Sequence, residues 1–135
     1  MLQAQIELEI WNGPDQEPRR LPDATLQSLR YALLRLDGVS IDSLWIHIPE
    51  VGDLQIGGGP TRFVLMSYLV DGSASHLEAG DSADQDVELK VGGQTGIYKS
   101  QMALLSKIAF NIAENFLLTG EFDPSACWIQ DSPPD

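Results

Sequence analysis

The sequence predicts an α+β domain: a mostly antiparallel sheet with two helices packed on one face, in the order β-α-β-β-β-β-α-β. Several short segments alternate apolar and polar residues, as half-buried strands do, and two longer segments carry an apolar stripe at helical spacing. Most of the expected strands are neighbours in sequence, which favours antiparallel pairing through short turns. With 135 residues, 43% of them hydrophobic, the chain is interpreted as one domain over 1–135 with its core at about 5–130.

The first part of the chain is expected to hold one strand and one helix. Gln5–Trp11 alternates apolar and polar residues and predicts a strand, and the polar residues from Asn12 to Arg20 predict a loop. A helix is expected after Asp23, which can serve as its N-cap, and Gly38 is expected to stop it. Its apolar stripe consists of Leu26, Leu29, Leu33 and Leu36.

Three further strands are expected in the middle of the chain, over Leu44–Ile48, Asp53–Ile56 and Arg62–Val70. The segment that follows, Asp71–Asp86, is rich in glycine, serine, alanine and acidic residues and is expected to be a mobile loop. It has room for one short strand near His76-Leu77.

The last third of the chain is expected to contain a strand, the longer helix and a final strand. Val87–Val91 alternates as a strand does, and the helix follows a glycine-rich turn, with Thr95 or Ser100 leading into it. The apolar stripe of this helix consists of Leu105, Ile108, Ala109, Ile112 and Phe116. Ser125–Ile129 predicts the last strand, and residues 131–135 are expected to fray.

Several residues are interpreted as structural rather than functional. The run Gly57–Pro60 is not a phosphate-binding loop, because a strand rather than a helix follows it and the sequence has no Gly-Lys-Ser/Thr. Gly120 is expected to end the longer helix as its C′ residue, and Trp128 is expected to pack beside Cys127, a small core residue. The glycines expected to form turns are Gly57, Gly58, Gly59, Gly92 and Gly93.

The chain carries 20 acidic residues against 8 basic ones, a formal net charge of −12. A field of one sign repels nucleic acid and anionic membrane surfaces, which bind through clustered Lys and Arg, and it attracts basic partners. The N-terminus has no positively charged region before an apolar stretch, and no segment approaches the ~18 consecutive apolar residues of a membrane span. The expectation is a soluble, cytoplasmic protein that binds neither nucleic acid nor membrane.

No pattern typical of catalysis is visible, so neither enzyme activity nor a cofactor or metal is predicted. The single cysteine excludes an intramolecular disulfide and a cysteine-rich zinc site. Only His47 and His76 could supply an imidazole base. His47 is interpreted as a packed or half-exposed strand residue with Trp45 on the same face. His76 is interpreted as a solvated loop residue, with a proton relay to Asp71 or Asp81 as the alternative.

The acidic stretch from Asp71 to Glu88 is the first candidate for a partner surface. Charge-rich loops are often only solvated, and that alternative stays open. An EF-hand calcium loop is excluded because the stretch lacks the central glycine and the terminal glutamate at the required spacing. Glu7 and Glu9 are interpreted as a solvated strand face. The candidate carboxylates, with no Lys or Arg between them, are Asp71, Glu78, Asp81, Asp84, Asp86 and Glu88.

Three landmarks in order resemble the first-numbered immunity protein family of bacterial polymorphic toxin systems. The helix that ends at Asp37-Gly38 fits the same pattern, and the resemblance covers residues 5–130. The landmarks are Leu54–Pro60 running into Arg62–Val64, then Val87–Gln94 followed by Tyr98, then the helix end Ala113–Glu121 followed by Pro124 and Trp128.

The resemblance implies a small cytoplasmic protein that binds and neutralises a secreted toxin in the cell that makes it or in its kin. Many members of the family are paired with nucleic-acid deaminases, so a deaminase is the expected cognate toxin. The family has no catalytic residues to carry over, and its glycines and Trp128 look structural. The resemblance does not say which residues touch the toxin, nor whether the protein is a monomer or a homodimer.

A toxin that acts on nucleic acid must hold a phosphate backbone and therefore carries a basic surface, which an acidic partner can occupy. Our hypothesis is that carboxylates of the Asp71–Glu88 stretch help to occlude that groove. Affinity also needs a desolvated anchor, and the aromatic candidates are Trp11, Trp45 and Tyr68. The alternative function is a small ligand-binding domain or a homo-oligomeric regulatory α+β domain without catalysis.

Overall fold

The computed structural model describes residues 3–79, 85–122 and 126–134, and in these ranges it has two helices and ten strands. The predicted α+β class is confirmed, and the order of elements follows the predicted pattern with additional strands. The elements are β1 (Gln5–Asn12), β2 (Asp15–Arg20), α1 (Leu26–Leu34), β3 (Ile41–Ile48), β4 (Gly52–Gly58), β5 (Arg62–Leu69), β6 (Ala74–Leu77), β7 (Asp86–Val91), β8 (Gln94–Lys99), β9 (Leu104–Leu105), α2 (Ser106–Thr119) and β10 (Trp128–Ser132).

One antiparallel sheet forms the body of the molecule. Its strand order is β10-β6-β5-β4-β3-β1-β2, with the two-residue β9 paired to β5. A separate hairpin, β7–β8, forms a second sheet of two strands. The antiparallel pairing follows from the short connections between strands that are adjacent in sequence.

Both helices pack on one face of the sheet, and the main core lies between the helices and that face. In β1, β3, β4 and β5, the apolar side chains at every second position point to this face and are almost completely buried. Burial of each such side chain contributes about 1.5–3 kcal/mol. The sheet residues of this core include Ile6, Leu8, Leu44, Ile46, Ile48, Leu54, Ile56, Phe63 and Leu65, and the helices add Leu29, Ala32, Leu33, Ala109, Ile112, Ala113, Phe116 and Leu117.

The beginning of α1 differs from the prediction. Thr25, not Asp23, is the N-cap: its hydroxyl accepts a hydrogen bond from the Ser28 amide at 3.1 Å, and the Ser28 hydroxyl accepts one from the Thr25 amide at 2.9 Å. This reciprocal capping box occupies two of the amides that open the helix. The helix ends at Leu34, so Gly38, with φ of 73°, lies in the connection to β3 and does not stop it directly.

Three strands were not expected from the sequence. β2 lies in the polar segment predicted as a loop; all its side chains are exposed, and it is held by backbone pairing with β1. β8 and β9 occupy residues where the lead into the longer helix was predicted, so α2 begins only at Ser106. Leu105, expected in the helical stripe, is exposed and lies in β9.

β6 is the short strand for which the sequence left room near His76-Leu77, and it pairs with β5 inside the stretch otherwise predicted as a mobile loop. The end of the chain differs from expectation. β10 runs to Ser132, so Asp131 and Ser132 are strand residues and not part of a frayed tail. Trp128 packs against Phe122, with ring centroids 4.5 Å apart, and Phe122 stacks on Phe116 at 4.9 Å. Ser125, the predicted start of the last strand, lies outside the described residues.

Of the glycines expected to be structural, some lie within or beside strand β4, and another lies at the end of helix α2. Gly57 and Gly58 lie within β4, and Gly59 follows it, donating its amide to the Arg62 carbonyl at 2.8 Å across the connection to β5. Gly120 ends α2 in the left-handed region, with φ of 70° and its amide bonded to the Phe116 carbonyl. Within the described part of the chain, no helix is long and apolar enough to cross a membrane.

Candidate functional site

The β7–β8 hairpin covers part of the sheet face that the helices leave free. Its Val91 lies directly over Gly57 of β4, where a Cβ atom would overlap the Val91 side chain. Gly57 is therefore a position of close approach inside a strand, and the turn role expected for it is wrong. Beneath the hairpin, Val64, Leu89 and Ala103 form a small second core.

A buried carboxylate fastens the tip of this hairpin to the sheet. Asp42 of β3 is fully buried; one of its oxygens accepts the Trp11 indole N–H at 2.9 Å and the other accepts the Gly93 amide at 2.7 Å. Gly92 and Gly93 both have positive φ, 59° and 83°, as a two-residue hairpin turn of this kind requires. The Lys90 ammonium lies 5.2 Å from the centre of the Trp11 ring. Trp11 is thus engaged within the molecule.

The rest of this sheet face carries aromatic and polar side chains, and we call it the open face. The strand register places its residues side by side: Trp45 of β3 and Met66 of β5 flank Gln55 of β4, and His76 of β6 follows Met66. The next row joins His47, Asp53 and Tyr68. The open face is defined by Glu7, Trp45, His47, Asp53, Met66, Tyr68 and His76.

Trp45 lies at the centre of an aromatic cluster on the open face. Its ring is parallel to the His47 imidazole, with centroids 6.0 Å apart, and it meets the Tyr68 ring at 5.7 Å. The Trp45 indole N–H donates to a Glu9 oxygen at 2.7 Å, which fixes the ring orientation. Tyr68 is 40% exposed, so the cluster is open to a partner on one side. Two of the three predicted anchors, Trp45 and Tyr68, are therefore brought together.

His47 lies between two carboxylates. Its Nδ1 atom is 2.8 Å from an Asp53 oxygen, and its Nε2 atom is 3.5 Å from a Glu7 oxygen. The Arg20 guanidinium approaches the same Glu7 oxygen at 3.8 Å from the neighbouring strand β2. The side chains of Glu7 and Asp53 remain 24% and 40% exposed, so both carboxylates can still meet solvent or a partner.

His76 has the same arrangement and is not the solvated loop residue that the sequence suggested. Only 12% of its side chain is exposed; Nδ1 lies 2.9 Å from Asp131, and Nε2 lies 2.9 Å from Glu78. Burial opposes protonation of His76, but the hydrogen bonds and charges of Asp131 and Glu78 outweigh it and raise the pKa of the imidazole. Its partner is thus Asp131 of β10, and not Asp71 as in the relay considered above.

Tyr68 links this second histidine to the aromatic cluster. Burial raises the pKa of the Tyr68 phenol, and the nearby Asp131 carboxylate and Tyr98 phenol raise it further. The Tyr68 hydroxyl also contacts the Met66 sulfur at 3.4 Å. The Tyr68 phenol therefore stays neutral and lies near the Asp131 carboxylate.

Three carboxylates of the predicted acidic stretch make local contacts within the described part of the chain. Asp71 accepts the amide and hydroxyl of Ser73 at 2.8 and 2.6 Å, bonds that lower its pKa and close its own turn. Asp86 pairs with Lys99 at 3.2 Å, and Glu78 contacts His76. Glu88 is exposed on β7. Asp81 and Asp84 lie outside the described residues.

Sequence reasoning missed several residues of this site and misplaced another. Glu7 and Glu9 are not merely a solvated strand face, because they contact His47 and Trp45. The alternation along β3 places Trp45 and His47 on one face, as predicted, but it does not indicate that β1 pairs with β3 and brings Glu7 and Glu9 beside them. Cys127, expected in the core, is exposed.

A cavity of about 310 Å³ lies on the other side of the molecule, between β6 and α2, and neither histidine lines it. Its lining is mainly apolar, with Leu77, Ile108 and Ile112 among its residues. In residues 3–79, 85–122 and 126–134, no group of three or more His, Cys, Asp and Glu side chains is arranged to hold a metal ion. No protein-family model matches the chain, and no curated protein sequence matches it.

Proposed function

We propose that this protein is an immunity protein that binds and neutralises a cognate secreted polymorphic toxin by protein–protein occlusion. A nucleic-acid deaminase, or another toxin directed at nucleic acid, is the expected target, and the cytoplasm of the producing cell is the expected place of action. The carrying observation is the net charge of −12 on a 135-residue chain that also exposes an aromatic cluster among carboxylates. The sequence landmarks described above support the same interpretation.

The charge suits the task because it acts on the rate of capture. A toxin that binds a phosphate backbone has a basic groove, and complementary fields raise association rates to about 10⁸ M⁻¹s⁻¹ or more at low salt, against roughly 10⁵–10⁶ without them. Fast capture limits the time in which the toxin can act on its own cell. The aromatic cluster can then supply the desolvated contacts that slow dissociation.

The environment of the histidines favours binding over catalysis. Both ring nitrogens of His76 are hydrogen-bonded to carboxylates and are not free to accept a proton from a substrate. His47 is bonded to Asp53 through Nδ1, and a Glu7 oxygen lies 3.5 Å from its Nε2 atom. We therefore propose a protein without enzyme activity or cofactor. Its partner is a toxin domain with a basic surface, not nucleic acid or a membrane.

The test uses the gene beside the one for this chain, which the proposal expects to encode a toxin domain. Co-expression should restore growth of bacteria that produce the toxin domain, and the two chains should co-purify. A toxin of an unrelated class serves as the control and should remain toxic. Undiminished toxicity of the neighbouring toxin, together with no complex in size-exclusion chromatography, would show that the proposed function is wrong.

A further inference from the structure

We infer that the open face is the docking surface for the toxin, and that it receives an arginine or lysine side chain over Trp45 and Tyr68 beside Asp53. This inference rests on the proposed function, because it names the surface and the partner chemistry through which the neutralisation would act. It differs from our expectation from sequence, which favoured the acidic stretch Asp71–Glu88 and which stays a prediction.

The aromatic pair provides a fixed platform for a cation. The rings of Trp45 and Tyr68 lie 5.7 Å apart at a tilt of 34°, and the bond from the Trp45 indole to Glu9 prevents the larger ring from turning away. The face of an indole or phenol ring attracts a guanidinium or an ammonium group, and tryptophan does so most strongly. A platform whose orientation is already set loses little conformational freedom on binding.

Carboxylates lie where the charged end of such a side chain would come to rest. Asp53 faces Tyr68 across the β4–β5 pair, and its contact with His47 involves only one of its two oxygens. Glu7 lies on the far side of His47, and the chain's own Arg20 already reaches it. An arginine from a partner could pair with Asp53 as Arg20 pairs with Glu7. Its planar guanidinium group suits a carboxylate with a free oxygen.

Charge also selects among the possible occupants. Glu7, Glu9, Asp53, Glu78 and Asp131 all contact or border residues of the open face. A second copy of the chain would set these carboxylates against one another, and an apolar helix would bury them without a partner. A nucleic acid would be repelled for the same reason. A basic protein surface is the occupant that satisfies both the rings and the acids.

Two matched pairs of variants test the inference against the cognate toxin domain. Asp53→Lys and Tyr68→Ala change the open face, while Asp15→Lys on β2 and Tyr31→Ala on α1 make the same changes at exposed positions elsewhere. We expect the first two to weaken toxin binding at least about tenfold, and the controls to change it less than about threefold. Thermal unfolding of each variant shows whether it keeps the fold.

The outcomes separate this inference from the proposed function. If the wild-type protein neutralises the toxin and the open-face variants bind it equally well, the inference is overturned and the function stands. If reversal of Asp81, Asp84 and Asp86 abolishes binding instead, the acidic stretch is the docking surface and the inference is likewise overturned.

If the toxin domain does not bind at all, the proposed function fails, and a second measurement still decides the surface. Hexa-arginine is titrated into the isotope-labelled protein and followed by NMR. The Trp45 indole and the Tyr68 ring should shift, and the shifts should vanish in Asp53→Lys. Shifts spread evenly over the acidic surface would overturn the inference.

Discussion

The two faces of the same sheet have opposite chemistry, although each strand of β1, β3, β4 and β5 supplies both. Along β3, Leu44, Ile46 and Ile48 point into the core and are completely buried, while Trp45 and His47 between them lie on the open face and stay partly exposed. The core face is held by non-directional burial of aliphatic groups. The open face is held by directed contacts between charged, polar and aromatic side chains.

The difference shows how a strand with period two can serve stability and recognition independently. A change on the core face removes packing from both helices, whereas a change on the open face removes contacts that solvent can partly replace. The open face can therefore vary to suit a partner without loss of the fold. The β7–β8 hairpin is an intermediate case, because it buries part of this same face with a small core of its own.

The largest loss of stability is expected from a substitution on the core face, and the same substitution at the next residue, on the open face, should have a much smaller effect. Ile46→Ala should lower the free energy of unfolding by about 2–5 kcal/mol, because it leaves a cavity between the sheet and the helices. His47→Ala, one position further, should cost less than about 1 kcal/mol, since its contacts with Asp53 and Glu7 are partly solvated. Urea unfolding measures both. Equal losses at the two positions would contradict the separation of the faces.

A smaller effect is expected where the hairpin meets the open side of the sheet. Gly57→Ala places a methyl group against Val91 and should destabilise the protein by about 1–3 kcal/mol, as overpacking usually does. Because the obstacle is a side chain and not backbone, Val91→Ala in the same chain should recover part of the loss.

Hydrogen exchange locates the effect of Gly57→Ala. The amides of β7 and β8 should exchange faster in the single variant, while those of β3 and β4 stay protected. Gly13→Ala gives a contrasting control, because no atom beyond its two chain neighbours lies within 4 Å of the added Cβ there, although its positive φ adds backbone strain. A double variant as unstable as Gly57→Ala alone would show that Val91 is not what the methyl group meets.

The core face could be predicted from sequence, and the open face only in part. Regular alternation of aliphatic residues in β1 and β3 is sufficient to define a strand and its buried side. β2 was not predicted because all its side chains are exposed; backbone pairing with β1 holds it, together with one exposed contact from Arg20 to Glu7. No local pattern distinguishes such an edge strand from a loop.

The alternation of apolar and polar residues also could not predict contacts between residues that are far apart in the sequence. His76 meets Asp131, which is 55 residues further along the chain, and nothing near either residue indicates the other. The hairpin turn at Gly92-Gly93 could be expected, but not the fact that Asp42 binds it, since that bond spans 51 residues. The predicted anchors Trp45 and Tyr68 were chosen for their residue type, and the sheet register alone brings them together.

The smallest expected effect concerns the edge of the open face, where His76 joins β6 to β10. Contacts with Asp131 and Glu78 raise the pKa of His76 above its unfolded value of about 6.5. The stabilisation is therefore fully present below that pH and is lost as the pH rises through the folded pKa. Tyr68, the other titratable group that faces this site, has a raised pKa and remains neutral throughout this range.

The test compares wild-type protein with His76→Gln in thermal unfolding from pH 5.5 to pH 8.5. The stability of the wild-type protein relative to the variant should fall as the pH rises above about 6.5, and the amides of β10 should exchange faster over the same range. His76→Gln keeps a polar side chain of similar reach but cannot carry the charge. If the two curves are parallel, protonation of His76 does not strengthen its contacts with Asp131 and Glu78, and the prediction is wrong.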